Sequence, residues 1–226
     1  MQGLNILVSY NQNRISNQFA GLTTLFRLMP VTETYKLAQF FPRDANGKIT
    51  QQQNVNFNIL GSLYRSMTVE ASYLLYTKLG SFEPRIVYVD NITSRLTGLD
   101  TNMVIDDIGT LFGPDRYRLN GSLTWTRGDV TANLFVYHIP SYVNDYLSTL
   151  NAGRIANPEL ITPVKSLTTV DFSANWAVNP AFSIQFSGRN IFKAAAPFTV
   201  VDTLPYDTAR YDVRGRTLSL RAQLRF

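Results

Sequence analysis

The stretch Arg216-Thr217-Leu218-Ser219-Leu220-Arg221-Ala222-Gln223-Leu224-Arg225-Phe226 decides the fold. Leu218, Leu220, Ala222, Leu224 and Phe226 fall on one side, and Thr217, Ser219, Arg221, Gln223 and Arg225 on the other, without exception. Such a period of two marks a β-strand with one apolar and one polar face. Immediately upstream, Phe182, Ile184, Phe186 and Gly188 alternate with Ser183, Gln185, Ser187 and Arg189. Before them Val170, Phe172, Ala174 and Trp176 alternate with Thr169, Asp171, Ser173 and Asn175, and Asn179-Pro180 supplies a tight turn between the two runs.

The unit recurs toward the N-terminus. Tyr117, Leu119, Gly121, Leu123 and Trp125 oppose Arg118, Asn120, Ser122, Thr124 and Thr126, and Gly128-Asp129 turns the chain into Val130, Ala132, Leu134 and Val136. Val55 to Leu63 leads through a turn near Arg65-Ser66 into Val69 to Leu75, and Leu4, Ile6, Val8 and Tyr10 form the first strand. Eight strands are expected. Short turns at 65–67, 128–129 and 179–180 alternate with long connections at about 12–53, 78–116, 140–166 and 193–213. Within the first of these, Asn46-Gly47 is a hairpin signal, so that connection is expected to extend the sheet as a ribbon.

Composition narrows what such strands can be. Of 226 residues only 16% are charged, below the roughly 25% of soluble domains, whereas 64 are Ser, Thr, Asn or Gln. The 28 aromatic residues exclude a disordered chain, and the absence of cysteine excludes disulfide scaffolds and thiolate metal sites. No apolar run is long enough for a membrane-spanning helix, and the first residues lack the features of a signal peptide. The net charge of +5 is scattered rather than clustered, so no nucleic-acid partner is expected.

Two-faced strands suit either a soluble sandwich or a membrane barrel. A polar face made of hydroxyls and amides with an occasional Arg suits a lumen rather than bulk water. Tyr10, Tyr73, Tyr117, Trp125, Trp176 and Phe226 lie near the ends of apolar stripes, where interfacial girdles belong. With long loops at one end and short turns at the other, the expected fold is all-β: an antiparallel up-and-down transmembrane β-barrel segment of about eight strands, left as an open partial barrel.

Specific residues carry a resemblance. Gly188-Arg189-Asn190-Ile191-Phe192-Lys193, then Pro197-Phe198, then Tyr211-Asp212-Val213-Arg214-Gly215-Arg216 and the alternating run to Phe226 resemble the end of TonB-dependent outer-membrane receptors. Ile191 and Lys193 depart from the Leu and Asp usual in that family. Arg43 through Ile49, followed by Asn58 and Gly61, is similar to an earlier hairpin of the same barrels, and Asn120 through Tyr137 continues the match. The resemblance implies that residues 1–226 are the C-terminal part of a receptor barrel of about 22 strands with a plugged lumen, the plug being absent from this chain and Met1 a truncation point. It implies long loops outside the cell, outer-membrane lipid on the apolar face, the plug domain and remaining barrel strands as partners, and TonB and the barrel-assembly machinery acting through the full-length protein. The implied role is uptake of a scarce nutrient of siderophore, cobalamin or glycan type at the outer membrane of a Gram-negative bacterium.

No nucleophile, metalloprotease, P-loop or dinucleotide motif occurs, and His138 is the only histidine, so no catalytic, cofactor or metal site is expected. Asp106-Asp107 reads as solvated loop charge or a cation contact, and Asp44-Ala45-Asn46-Gly47 as a turn. Arg118, Arg189, Arg221 and Arg225 are expected to face the lumen, pairing with carboxylates or meeting an anionic ligand. Gly215, Leu220, Leu224 and Phe226 resemble a terminal assembly signal. Two other readings stand beside the receptor: a complete eight-stranded barrel with a structural or adhesion role, and a soluble β-sandwich binding carbohydrate through Tyr142 and Tyr146.

Overall fold

Eight long antiparallel strands form one curved sheet that does not close. The computed structural model describes residues 3–21, 38–53, 55–99, 104–145, 161–201 and 204–225. In chain order the strands are β1 (Leu4–Gly21), β2 (Asn56–Tyr73), β3 (Leu75–Thr77), β4 (Gly80–Thr97), β5 (Val104–Asp106), β6 (Tyr117–Arg127), β7 (Val130–Ile139), β8 (Tyr142–Asn144), β9 (Thr162–Val164), β10 (Leu167–Asn179), β11 (Phe182–Arg189) and β12 (Thr217–Leu224). The sheet runs β1-β2-β4-β6-β7-β10-β11-β12, with β3 and β5 as short additions to β4, and β8 pairs with β9 apart from it. Among the described residues no ladder joins β1 to β12. A complete eight-stranded barrel is therefore not what the chain forms. Among the described residues the second sheet, β8–β9, is a ribbon three residues long on each side, too small to make a sandwich.

The register places the apolar stripes of all eight strands on one face. Leu4 lies opposite Tyr73, Ala71 opposite Ile86, Ile86 opposite Gly121, Leu123 opposite Leu134, Leu134 opposite Phe172, Ala174 opposite Phe186 and Phe186 opposite Leu220. Leu220, Ile6 and Val8 are more than half exposed, since no other described element packs on this face. The accessible surface of 14824 Å² far exceeds the about 10,400 Å² of a compact monomer of this mass. Along β6, Tyr117 to Trp125 rises about 26 Å, or about 20 Å along the normal at a tilt near 40°, which with its end rings matches an apolar band of about 25 Å.

Aromatic rows border the band. At the long-loop end the Tyr88 and Tyr117 ring centroids lie 5.9 Å apart, and Tyr117 stacks on His138, also at 5.9 Å. His138 joins that row through Nδ1 to Thr168 Oγ1 at 2.8 Å. At the short-turn end Trp125 stands opposite Phe82, and its Nε1 donates to the Leu79 carbonyl at 2.9 Å. The other face carries hydroxyls and amides that bond across strands. Thr124 Oγ1 donates to Asn133 Oδ1 at 2.9 Å, Asn133 Nδ2 to Ser173 at 3.4 Å, and Ser187 meets Ser219 at 2.7 Å.

Three boundaries differ from the sequence expectation. Residues 55–63 and 69–75 belong mainly to one strand, β2, and the expected turn at 65–67 is a bulge in its pairing with β4 between Arg65 and Ser66. The true hairpin turn is at Lys78-Leu79, where Thr77 Oγ1 donates to the Gly80 carbonyl. The strand it leads into, β4, occupies nearly half of what was expected to be a loop. Finally, β1 runs on to Gly21, well past Tyr10. Near its far end β1 meets β2 so closely that a Cβ on Gly61 (φ +147°) would lie 2.0 Å from the Ile15 carbonyl oxygen. The Asn46-Gly47 hairpin is present as a tight turn, with Asp44 Oδ1 accepting from the Asn46 and Lys48 amides.

Candidate functional site

The buried residues cluster at the long-loop end rather than beneath the sheet. Leu111, Tyr142, Val164 and Tyr211, from three different connections, pack together against Ile139 and Leu167. Arg210 locks this apolar centre, with only 6% of its side chain exposed. Its Nε donates to Asp115 Oδ1 and its Nη1 to Asp207 Oδ2, both at 2.7 Å. The remaining donors reach the carbonyls of Leu111 (2.7 Å), Thr110 (2.9 Å) and Gly113 (2.7 Å), and the guanidinium lies 4.2 Å over the Tyr142 ring. Asp115 and Asp207 are almost fully buried, so the cation and two carboxylates are desolvated together, and Asp115 holds Arg118 at 2.7 Å as a second counter-charge.

The ionisations follow from these surroundings. Burial works against the Arg210 charge, but its hydrogen bonds to Asp115 and Asp207 outweigh it and raise the pKa. Burial pushes the Tyr142 hydroxyl well above its ordinary value, reinforced by the Asp207 charge, and raises Tyr211 as well. On the exposed rim, Arg214 hydrogen bonds from side chain and backbone draw Asp212 down to about 2.

Between this loop cap and the polar face of the sheet lies a pocket of about 270 Å³. Strands β6, β7, β10 and β11 bring Arg118, Tyr137, Asp171 and Arg189 to its wall, and the cap adds Tyr211 and Asp212. Just past β11, Asn190 at φ +46° fastens the end of the strand. Its amide donates to Asp171 Oδ1, and its side chain both donates to the Ala194 carbonyl and accepts from the Ala194 amide, each at 2.8 Å. The pocket thus sets the guanidiniums of Arg118, Arg189 and Arg210 and the hydroxyls of Tyr137 and Tyr211 against two carboxylates, Asp171, which accepts from the Asn190 amide, and Asp212, which is paired with Arg214. Donors therefore outnumber carboxylates, and the cavity suits a polar ligand bearing negative charge. Among the described residues no group of three or more His, Asp or Glu side chains is placed to hold a metal ion.

Of the expected lumen-facing arginines, Arg118 and Arg189 line this pocket and Arg221 and Arg225 do not. Arg221 lies opposite Gln185 further down the polar face, and the Arg225 amide closes the turn-end of the sheet on the Ala181 carbonyl. Gly215 also lines the pocket, in a left-handed turn at φ +73°, while Leu220 and Leu224 sit exposed on the apolar face opposite Phe186 and Phe182. Phe226 and Tyr146 lie outside the described residues. Tyr142 is only 3% exposed, with its hydroxyl on Asp207, so it is part of the cap rather than an open platform for a sugar. Asp106 and Asp107 separate: Asp106 ends β5 exposed, and the Asp107 carbonyl accepts from Thr110 Oγ1 in the turn that follows. Sequence reasoning missed Arg210, Asp115 and Asp207, although Asp207 and Arg210 at i, i+3 in a loop otherwise rich in Ala, Val, Pro and aromatic residues were a signal.

A sheet with one apolar face bounded by aromatic rows, one polar face and long loops at a single end has the architecture of an outer-membrane barrel wall. Solved structures agree. The chain aligns over its full length with a mutant of the ferric enterobactin receptor PfeA from Pseudomonas aeruginosa (TM-score 0.62, 15% identity), over 29% of that receptor. It likewise aligns over its full length with the siderophore receptor PirA from Acinetobacter baumannii (0.58, 14%, 30% of that chain) and the outer membrane transporter YddB from Escherichia coli (0.61, 12%, 31%). The chain has the fold of part of a TonB-dependent receptor barrel and spans about three tenths of the length of the receptors it matches. No family model matches its sequence, and no curated relative does.

Proposed function

We propose that these residues form the C-terminal part of the wall of a TonB-dependent receptor in a Gram-negative outer membrane. The apolar face meets lipid, the long loops face outward, and the polar face encloses a plug supplied by the rest of the receptor. Energy passed through TonB moves that plug, and the barrel takes up a scarce nutrient of siderophore, cobalamin or glycan type. Arg118 and Arg189, beneath the loop cap, are the arginines that contact an anionic part of the ligand on its way in. The observation that carries this reading is the continuity of the apolar face across all eight strands of an unclosed sheet.

The test is an exchange of faces in the full-length receptor. Leu220→Arg places a charge in the apolar band and is expected to cost about 2–4 kcal/mol of folding into lipid vesicles when near mid-bilayer. Ser219→Arg, one residue away on the polar face, is expected to cost much less. Equal losses would refute the assignment of faces.

A further inference from the structure

Just beyond the apolar band, the same outer face of β1, β2 and β4 carries three arginines. The stripe ends at Tyr10 on β1 and Met67 on β2. The next register rows toward the long loops are Gln12–Arg65–Thr93 and Arg14–Leu63–Arg95. Arg95 reaches this face only through the bulge, because Ile92 has no partner on β2 and the alternation of β4 reverses above it. Arg65 Nε donates to Gln12 Oε1 at 2.9 Å, and Tyr10 Oη donates to the same oxygen at 3.3 Å, which ties the first row to the aromatic rim.

Arg14 and Arg95 flank a shallow groove of about 330 Å³ over Gly61, Leu63 and Thr97. Among the described residues none of the three arginines closes a salt bridge. Asp106 stands opposite Arg95 across β4–β5 without pairing with it, and Asp90 lies a row nearer the band. Three guanidiniums that close no salt bridge among the described residues thus sit where an apolar band gives way to polar surface, the height at which lipid headgroups lie. Arg14 and Arg95 are two strands apart, about 10 Å between their Cα atoms. Extended guanidinium arms can converge across that span on two phosphates of one headgroup, each gripped by a planar fork.

We infer that Arg14, Arg65 and Arg95 form a binding site for the phosphate groups of a phosphorylated glycolipid in the leaflet around the long-loop end of the barrel. This rests on the reading of the apolar face as lipid-facing.

The test uses the full-length receptor inserted in phosphatidylcholine nanodiscs doped with a bisphosphorylated glycolipid or its dephosphorylated form, with retained glycolipid counted by native mass spectrometry. Retention of the phosphorylated form only is expected. Combined Arg14→Gln, Arg65→Gln and Arg95→Gln is expected to weaken it about a hundredfold, about fivefold for each basic side chain at an anionic surface. Arg127→Gln, at the short-turn end, should leave retention unchanged. Equal retention of both glycolipids, or full retention by the triple variant, would overturn the site while leaving the receptor reading intact. Displacement by millimolar inorganic phosphate alone would assign the site to free anion and overturn the lipid partner. Failure of the native receptor to insert in any bilayer would overturn both.

Discussion

Replacing Arg210 with Met removes the cation on which the loop cap converges. Asp115 would keep Arg118, but among the described residues Asp207 would keep only the Tyr142 hydroxyl at 3.3 Å and the Ala209 amide at 2.9 Å. The carbonyls of Thr110, Leu111 and Gly113 would lose their donor as well. Removing one member of a buried ion pair costs about 3–5 kcal/mol, because the partner charge is left without compensation. That cost falls on the cap, which shares little with the apolar face of the wall. In the full-length receptor in lipid, amide exchange at Gly109, Thr110, Gly113, Val143 and Tyr211, which are hydrogen-bonded within the cap, should speed up about a hundredfold to several thousandfold. Exchange in β6, β7, β10 and β11 should hold. Arg210→Met combined with Asp207→Asn should recover part of the loss, since the stranded charge is gone. Unchanged exchange in the cap, or equal loosening of the strands, would refute the reasoning.

Three further outcomes are expected. Tyr142 and Tyr211 hold their protons more tightly in the folded cap than in the open one, so their contribution is complete below about pH 10 and declines as pH rises from there through the folded-state values. Tyrosinate absorbance followed with cap exchange should show the cap loosening across that alkaline range, and a flat exchange profile would contradict it. Gly61→Ala should destabilise β1–β2 pairing by more than about 1–3 kcal/mol in thermal unfolding, through a positive φ and a backbone clash. Gly121→Ala, whose Cβ would meet Val136 at 4.0 Å, should be tolerated. Deleting Phe226 from the full-length parent should lower its surface level, measured by labelling intact cells, without changing ligand affinity per assembled receptor.

The wall was legible where a bilayer would dictate sequence. From Tyr117 to Trp125, from Phe182 to Arg189 and from Thr217 to Leu224, alternation is strict because one face is covered by no described residue. Above Tyr10 that demand ends, and Gln12 and Arg14 keep β1 paired through backbone hydrogen bonds that leave no mark on side-chain pattern. Arg65 looked like a turn because it interrupts an apolar stripe, yet the odd-numbered positions from Phe57 to Tyr73 continue through it on a single strand. β4 was hidden by Pro84. That proline lacks an amide, and the β2–β4 ladder stops at Ser72–Arg85 and resumes as β3 at Leu75–Phe82. The pocket was half legible: strand parity put Arg118 and Arg189 on the polar face. Their confinement under a cap depends on contacts such as Arg210 to Thr110, a hundred positions apart, which no local pattern encodes.

The loop cap is also a chord across an arc. It joins the connection before β6 to the connection after β11, so it bridges the three strand spacings between them, about 14 Å of wall. A stiff tie between two points on a bending ribbon fixes how sharply the ribbon can bend. The local radius at β6, β7, β10 and β11 is thereby set from within the chain, whatever strands stand beyond β1 and β12. Curvature in this region belongs to its loops.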